Sequence, residues 1–230
     1  MIYIESKKKA TKTLEKLYPN ALILDVTSKA KEPYVKISPF YPHGNIPVPF
    51  SDGYFAYSVE GIWQGLKVFE NDNVDLSKFS VNNMKGLKRT VRKFGKPLGH
   101  RKGVNGSELF DYLTARRQIY LPSYAYVLDK CIPDLIQQLK EIAFKQDLVL
   151  LDFETNIDID NPRKPLSHAG LVKRYLEKKY PELKDLSFKT KEIVVNTVSS
   201  NPKKQSAKST EKKTKKKKKN EEDKNQMRLF

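Results

Sequence analysis

The chain has 230 residues, 38% of them apolar, and 44 Lys and Arg stand against 27 Asp and Glu for a formal net charge of +17. A single cysteine, Cys131, excludes an internal disulfide framework, and no apolar run approaches the length of a bilayer span. So large a positive excess draws a chain toward polyanions, which makes nucleic acid the leading partner and a merely solubilising basic surface the other reading.

Ile2-Tyr3-Ile4 reads as a short strand, and Ser6 can cap a helix running to Leu17, where Pro19 stops it. Ala21 to Val26 is a buried strand. Prolines 33, 39, 42, 47 and 49 then forbid regular helix over a turn-rich segment that carries Phe40 and Tyr41. Ser58 caps a helix ending near Phe69, and Asn82 or Asn83 caps another reaching Phe94. Glycines 95, 99, 103 and 106 mark a loop whose backbone can approach a ligand closely. Helices are expected over Ser107 to Ile119, Ile132 to Phe144 and Ser167 to Lys179, with a strand over Leu148 to Phe153 between the last two. The predicted fold is a single, mainly helical α+β domain with a few short strands, spanning 1–190.

Beyond it, positions 201–230 hold eleven Lys and Arg228 against Glu211, Glu221, Glu222 and Asp223, with almost nothing apolar before Met227. A segment without apolar area to bury cannot offset its ordering entropy, so 191–225 reads as a disordered Lys-rich linker leading to a separate peptide at 226–230. With no secretory pattern at its start, the chain is expected in the cytoplasm, associated with the nucleoid or replisome.

Two segments carry the chemistry. In Ser58-Val59-Glu60-Gly61-Ile62-Trp63-Gln64-Gly65-Leu66-Lys67, the residues Glu60, Gln64 and Lys67 recur at i, i+4 and i+7, which sets a carboxylate, an amide and an amine in one row of a helix. On spacing alone this is an ordinary surface stripe with an anion at the favourable end of the helix dipole. From Lys85 to Lys102, eight cations including Arg89, Lys93 and Arg101 occur with no acidic residue, as a phosphate or pyrophosphate would need. The loop beyond lacks the Gly-Lys-Ser/Thr ending of a P-loop and the strand-first G-x-G-x-x-G of a dinucleotide fold. Asp111 through Tyr124 mixes three tyrosines with Arg116 and Arg117, a pattern that suits either base stacking or interior-edge packing. Asp152, Glu154, Asp158 and Asp160 form an acidic patch that could take Mg²⁺ or Ca²⁺ but lacks EF-hand spacing, and His168 follows a capping Ser167. No metal site is expected.

Taken together, Phe40-Tyr41-Pro42, the Ser58-x-Glu60-x-x-x-Gln64-x-x-Lys67 helix with Trp63, and Met84 leading through Lys93-Phe94 into a glycine loop resemble the NADAR family over about positions 38–130. That resemblance implies a mainly helical domain that hydrolyses N-glycosidic bonds, in members that remove ADP-ribose from guanine in DNA or cleave a riboflavin-pathway intermediate. The family usually has His-Tyr-Phe after the Glu where this chain has Gly61-Ile62-Trp63, which marks a divergent branch. The resemblance makes Glu60 the catalytic carboxylate. Phe40, Tyr41, Ser58, Trp63, Gln64, Lys67, Lys93, Arg101, Asp111 and Arg116 are the expected substrate contacts, with no cofactor.

Gln226-Met227-Arg228-Leu229-Phe230 is similar to the peptide by which polymerases and repair proteins dock on the bacterial sliding clamp, with Gln226, Met227, Leu229 and Phe230 as the contacts. The expected function is thus an N-glycoside hydrolase on ADP-ribosylated DNA or a related modified nucleoside, tethered to the clamp. The alternatives are a catalytically silent ADP-ribose or nucleotide adaptor at the clamp, and a small-molecule N-glycosidase of riboflavin or NAD metabolism.

Overall fold

The computed structural model describes residues 1–182; the predicted linker and the clamp-type peptide lie outside the described residues. The chain opens with β1 (Ile2–Ser6), α1 (Thr11–Leu17) and β2 (Leu22–Asp25). A 3-10 turn over Tyr34–Ile37 precedes the hairpin of β3 (Ile46–Pro47) and β4 (Phe55–Ala56), after which α2 (Val59–Leu66) runs directly into β5 (Lys67–Phe69). Then come α3 (Val91–Phe94), β6 (Pro97–Arg101) and β7 (Leu109–Phe110). One uninterrupted helical rod follows: α4 (Tyr112–Ala115), a π-helical stretch (Arg116–Tyr120), α5 (Leu121–Tyr126) and a second π-helical stretch (Val127–Cys131). The described part ends with α6 (Pro133–Lys145), β8 (Leu148–Asp152) and α7 (His168–Leu176).

The architecture is mixed α/β: the expected combination of helices with short strands is present, while strands take a larger share than a mainly helical domain would give them. Eight strands form three small sheets among the described residues: β1-β8-β2, all parallel; the β3-β4 hairpin; and antiparallel β5-β6-β7. In the first, Leu148-Val149-Leu150-Leu151 is buried along its whole length because β8 is central and covered on both faces. The extra strands arise where local sequence argued otherwise. The capped helix stops at Leu66 instead of Phe69, because Lys67, Val68 and Phe69 pair with β6. The segment read as a glycine loop contains β6, and Gly99 is required there: a Cβ would sit 2.3 Å from the Phe110 carbonyl oxygen of β7. The helix expected from Asn82 is reduced to Val91–Phe94, since Asn83 turns the chain by accepting the Lys85 N–H and Gly86 has φ +70°. The Ser6 cap is likewise absent: β1 extends through Ser6 and α1 begins at Thr11. The strands at 22–25 and 148–152 and the helices at 133–145 and 168–176 fall where the apolar patterns put them. No helix among the described residues is long and apolar enough to cross a membrane.

One ion pair ties the parallel sheet to α7. His168 Nδ1 lies 3.0 Å from Asp152 Oδ2 and its Nε2 lies 2.8 Å from the Val26 carbonyl oxygen, just past β2. Both partners only accept, so both ring nitrogens carry protons and the imidazole is cationic. The Asp152 carboxylate takes further bonds from Ser167 Oγ at 2.8 Å and from the N–H groups of Phe153 and Ala169. Burial pushes His168 down, but the Asp152 charge, its hydrogen bond and the Val26 carbonyl outweigh it and raise the imidazole above its ordinary value. Burial pushes Asp152 up, and the His168 charge with the Ser167 and Ala169 bonds brings it net below the usual carboxylate range.

A raised His contributes stability that is whole below about pH 6.5 and lost as pH rises through its folded value, while a lowered Asp contributes stability that is whole above about pH 4 and lost in acid. The pair therefore stabilises the fold most between those limits. Thermal unfolding of wild type and Asp152→Asn across pH 5 to 9 is expected to show a gap of about 3 kcal/mol near pH 6 that narrows toward pH 9. A gap that does not change with pH would mean the pair is not ionised.

Candidate functional site

The site is built on α2. Ser58 begins the helix by accepting the Gly61 N–H at 3.0 Å, and the Glu60 N–H donates to the Pro39 carbonyl at 2.9 Å, which docks the Phe40-Tyr41-Pro42 segment on the start of the helix. Gly61 and Gly65, one turn apart, let the 75–79 segment pack against the other side. A Cβ on Gly61 would lie 2.7 Å from the Lys78 carbonyl oxygen, and one on Gly65 would lie 2.2 Å from the Phe79 ring. With that side closed by backbone and ring, the Glu60, Gln64 and Lys67 row turns into the interior. These side chains are 8%, 6% and 5% exposed, so the row is not the surface stripe that its spacing suggests.

What holds them there is Arg89, the residue the sequence offered as one surface cation among eight. Its side chain is fully buried, and its guanidinium donates to the carbonyls of Gln64, Lys67 and Asn73 and pairs with Asp72 at 2.8 Å. The rings of Phe69 and Phe94 lie 4.7 and 5.1 Å from the guanidinium carbon, which adds cation–π attraction. Its backbone N–H donates to Gln64 Oε1 at 3.1 Å, which leaves the Gln64 amide nitrogen to donate to Glu60 Oε1 at 2.9 Å. The orientation of the Gln64 amide follows from this chain of donors.

Glu60 is thus a buried carboxylate with one neutral donor and two ammonium groups acting on it. Burial raises its pKa, and the Gln64 bond with the charges of Lys88 and Lys67 offsets only part of that rise. Lys67 moves the opposite way: burial lowers it, the Glu60 charge resists, and Arg89 and Lys88 add to the lowering. Lys88 itself is exposed, with its ammonium 5.7 Å from the Phe40 ring. Beside it, Tyr41 and Pro42 face Asn82, Asn83, Met84, Lys85 and Gly86 across an open groove of about 880 Å³.

An aromatic cluster completes the site. The indole of Trp63 lies 3.7 Å from the His100 ring, at an interplanar angle of 35°, and meets Tyr112 and Tyr120 edge-on at 5.8 Å each. His100 stands opposite Lys67 in the β5-β6 register. Tyr120, in the first π-helical stretch, is held well above the ordinary tyrosine value by burial and by the Glu60 charge. Stretches of π-helix are uncommon and recur at functional sites.

The structure therefore gathers Glu60, Trp63, Gln64 and Lys67, with Phe40 and Tyr41 beside the groove. The other expected contacts have structural partners. The Ser58 hydroxyl caps α2, and Asp111 caps the rod by accepting the Thr114 N–H at 2.8 Å. Arg116 is buried and clamps the 159–164 loop through the carbonyls of Ile159, Asn161 and Lys164 and the Tyr112 hydroxyl. Arg101 donates to the Ser107 carbonyl and to Asn73 Oδ1, and Lys93 is exposed on α3 with its ammonium 4.9 Å from the Phe94 ring. Sequence reasoning missed His100 and the buried role of Arg89, and had Tyr120 only as one of three tyrosines suited to stacking or to interior-edge packing. The available signal for the first was the strand that carries it, hidden by its glycines.

Residues 6–172 match the model of a family of unknown function, DUF6939. No curated protein matches the chain.

Proposed function

The chain belongs to the DUF6939 family, whose description names no activity, and we propose from the site itself that it is an N-glycoside hydrolase whose catalytic carboxylate is Glu60. The proposed substrate is ADP-ribosylated guanine in DNA or a closely related modified nucleotide, in keeping with the resemblance of the 58–67 helix to the NADAR pattern. The observation that carries the reading is the buried Glu60, oriented by Gln64, raised in pKa and flanked by Lys67 and Lys88.

Cleaving an N-glycoside passes through an oxocarbenium-like state, so a carboxylate next to the anomeric carbon stabilises developing positive charge and takes a proton from the attacking water. A carboxylate with a raised pKa is the stronger base for that task near neutral pH. Lys67 and Lys88 supply positive charge for a pyrophosphate, and Phe40, Tyr41 and Trp63 offer ring faces for a base or adenine moiety. The basic surface of Lys85, Lys88, Arg92, Lys93 and Lys96 suits a DNA backbone beside the groove.

Replacing Glu60 with Gln keeps an acceptor for the Gln64 amide but removes the charge. Glu60→Gln is expected to lower kcat on ADP-ribosylated DNA by about 10²-fold or more, with no loss of thermal stability. Turnover within about twofold of wild type would rule out Glu60 as the catalytic group.

The C-terminal peptide is proposed as a sliding-clamp ligand that concentrates the enzyme on DNA, a reading supported by the order Gln226, Met227, Leu229, Phe230 at the end of a lysine-rich segment. Burying Leu and Phe in an apolar groove contributes about 1.5–3 kcal/mol each, so Leu229→Ala with Phe230→Ala is expected to weaken a titration against purified clamp by about 10²-fold or more. Activity on a free nucleotide substrate should not change. Equal clamp binding by both proteins would make the pattern accidental.

A further inference from the structure

The described part of the chain contains two well-buried histidines that the fold treats in opposite ways. His168 has both ring nitrogens bonded, one to a carboxylate and one to a carbonyl. His100 is 2% exposed, and neither Nδ1 nor Nε2 has a hydrogen-bond partner. Burying an imidazole with both polar atoms unpaired costs free energy that a Phe or Leu at this position would not incur. Burial and the positive charges of Lys67 and Arg89 hold its pKa well below the ordinary histidine value, so the ring is neutral, with one donor and one acceptor free.

The surroundings of His100 are those of a stacking site. Its ring lies against the indole of Trp63, which is partly buried and stands one helical turn from Glu60 on α2. Tyr112 and Tyr120 wall the indole edge-on. Trp63 is the chain's one tryptophan and is the partly exposed ring covering the buried imidazole.

We propose that His100 is the residue that recognises the purine base of the substrate: the Trp63 indole shifts to admit the base, and one of the two free imidazole nitrogens pairs with a group on the base edge. A purine fits because it is planar and neutral, with a face for the surrounding aromatic rings and a polar edge for a ring nitrogen, and because a cationic or anionic ligand would call for a charged partner in place of a neutral ring. The proposal rests on reading the site as a nucleoside pocket. It goes further by naming the group that holds the base, a role distinct from that of Glu60. The unpaired nitrogens are then a cost of the empty site that substrate removes in part, in the way functional positions are held at some expense to stability.

Because the probe ring is Trp63 itself, guanosine binding can be followed by its fluorescence in the full-length protein. Wild type is expected to give a saturable change, His100→Gln to retain most of it, and His100→Phe, which keeps the ring contact and removes both polar atoms, to bind about tenfold or more weakly. The same His100→Phe protein is expected to melt at a higher temperature than wild type, since an unpaired buried polar group has gone. Equal guanosine affinity in His100→Phe, no saturable change in wild type, or a His100→Phe protein that melts lower or fails to fold would each overturn the assignment. Guanosine binding without glycoside cleavage would leave this inference standing while defeating the hydrolase reading. Cleavage that is normal in His100→Phe would do the reverse.

Discussion

A guanidinium inside a protein needs partners for its charge and for most of its N–H groups, and the site follows from how this chain supplies them to the terminal nitrogens of Arg89. Three carbonyls and Asp72 converge on it. Two of those carbonyls, from Gln64 and Lys67, belong to the place where α2 becomes β5, and a helix end needs outside donors for its last carbonyl groups. The ion thus ends the helix, starts the strand, and through its own backbone N–H turns the Gln64 amide toward Glu60. Without that sequence of bonds, the carboxylate, the amide and the amine would be an ordinary amphipathic row. With it, they are buried beside an aromatic cluster.

The two buried charged networks divide the work. Asp152, Ser167 and His168 hold α7 onto the open end of the parallel sheet, with both ring nitrogens, both carboxylate oxygens and the Ser167 hydroxyl bonded. The α2 network is less complete: Arg89 Nε and both nitrogens of His100 lack partners. A fully paired network belongs to a scaffold. A network with free polar groups next to a carboxylate of raised pKa is where a ligand has something to supply.

Legibility from sequence followed the range of the interactions. The α2 helix was readable because its signals are local: a Ser cap, an apolar stripe and an i, i+4, i+7 row. The buried strand at 148–152 and the helices that flank it were readable for the same reason. The sheet β5-β6-β7 was not, because strands of two to five residues exist only through their partners, and Gly99 looks like a loop residue until Phe110 is seen against it. The π-helical stretches carry no sequence mark beyond Pro122, which has no N–H to give the carbonyl four residues back, just where the first wide stretch ends. Arg89 was illegible for a different reason. Among eight cations in eighteen residues, composition cannot tell which one the interior will neutralise. His100 stayed hidden with the strand that carries it.

If Glu60 is the catalytic carboxylate, water attacks a glycosidic carbon beside it. Incubating the protein with ADP-ribosylated DNA in ¹⁸O-labelled water and weighing the released sugar by mass spectrometry tests it directly. Hydrolysis at the anomeric carbon predicts free ADP-ribose carrying one ¹⁸O and DNA returned to an unmodified base. Transfer of the ADP-ribosyl group to another acceptor in place of free ADP-ribose, or binding of the modified DNA with no release at all, would contradict it.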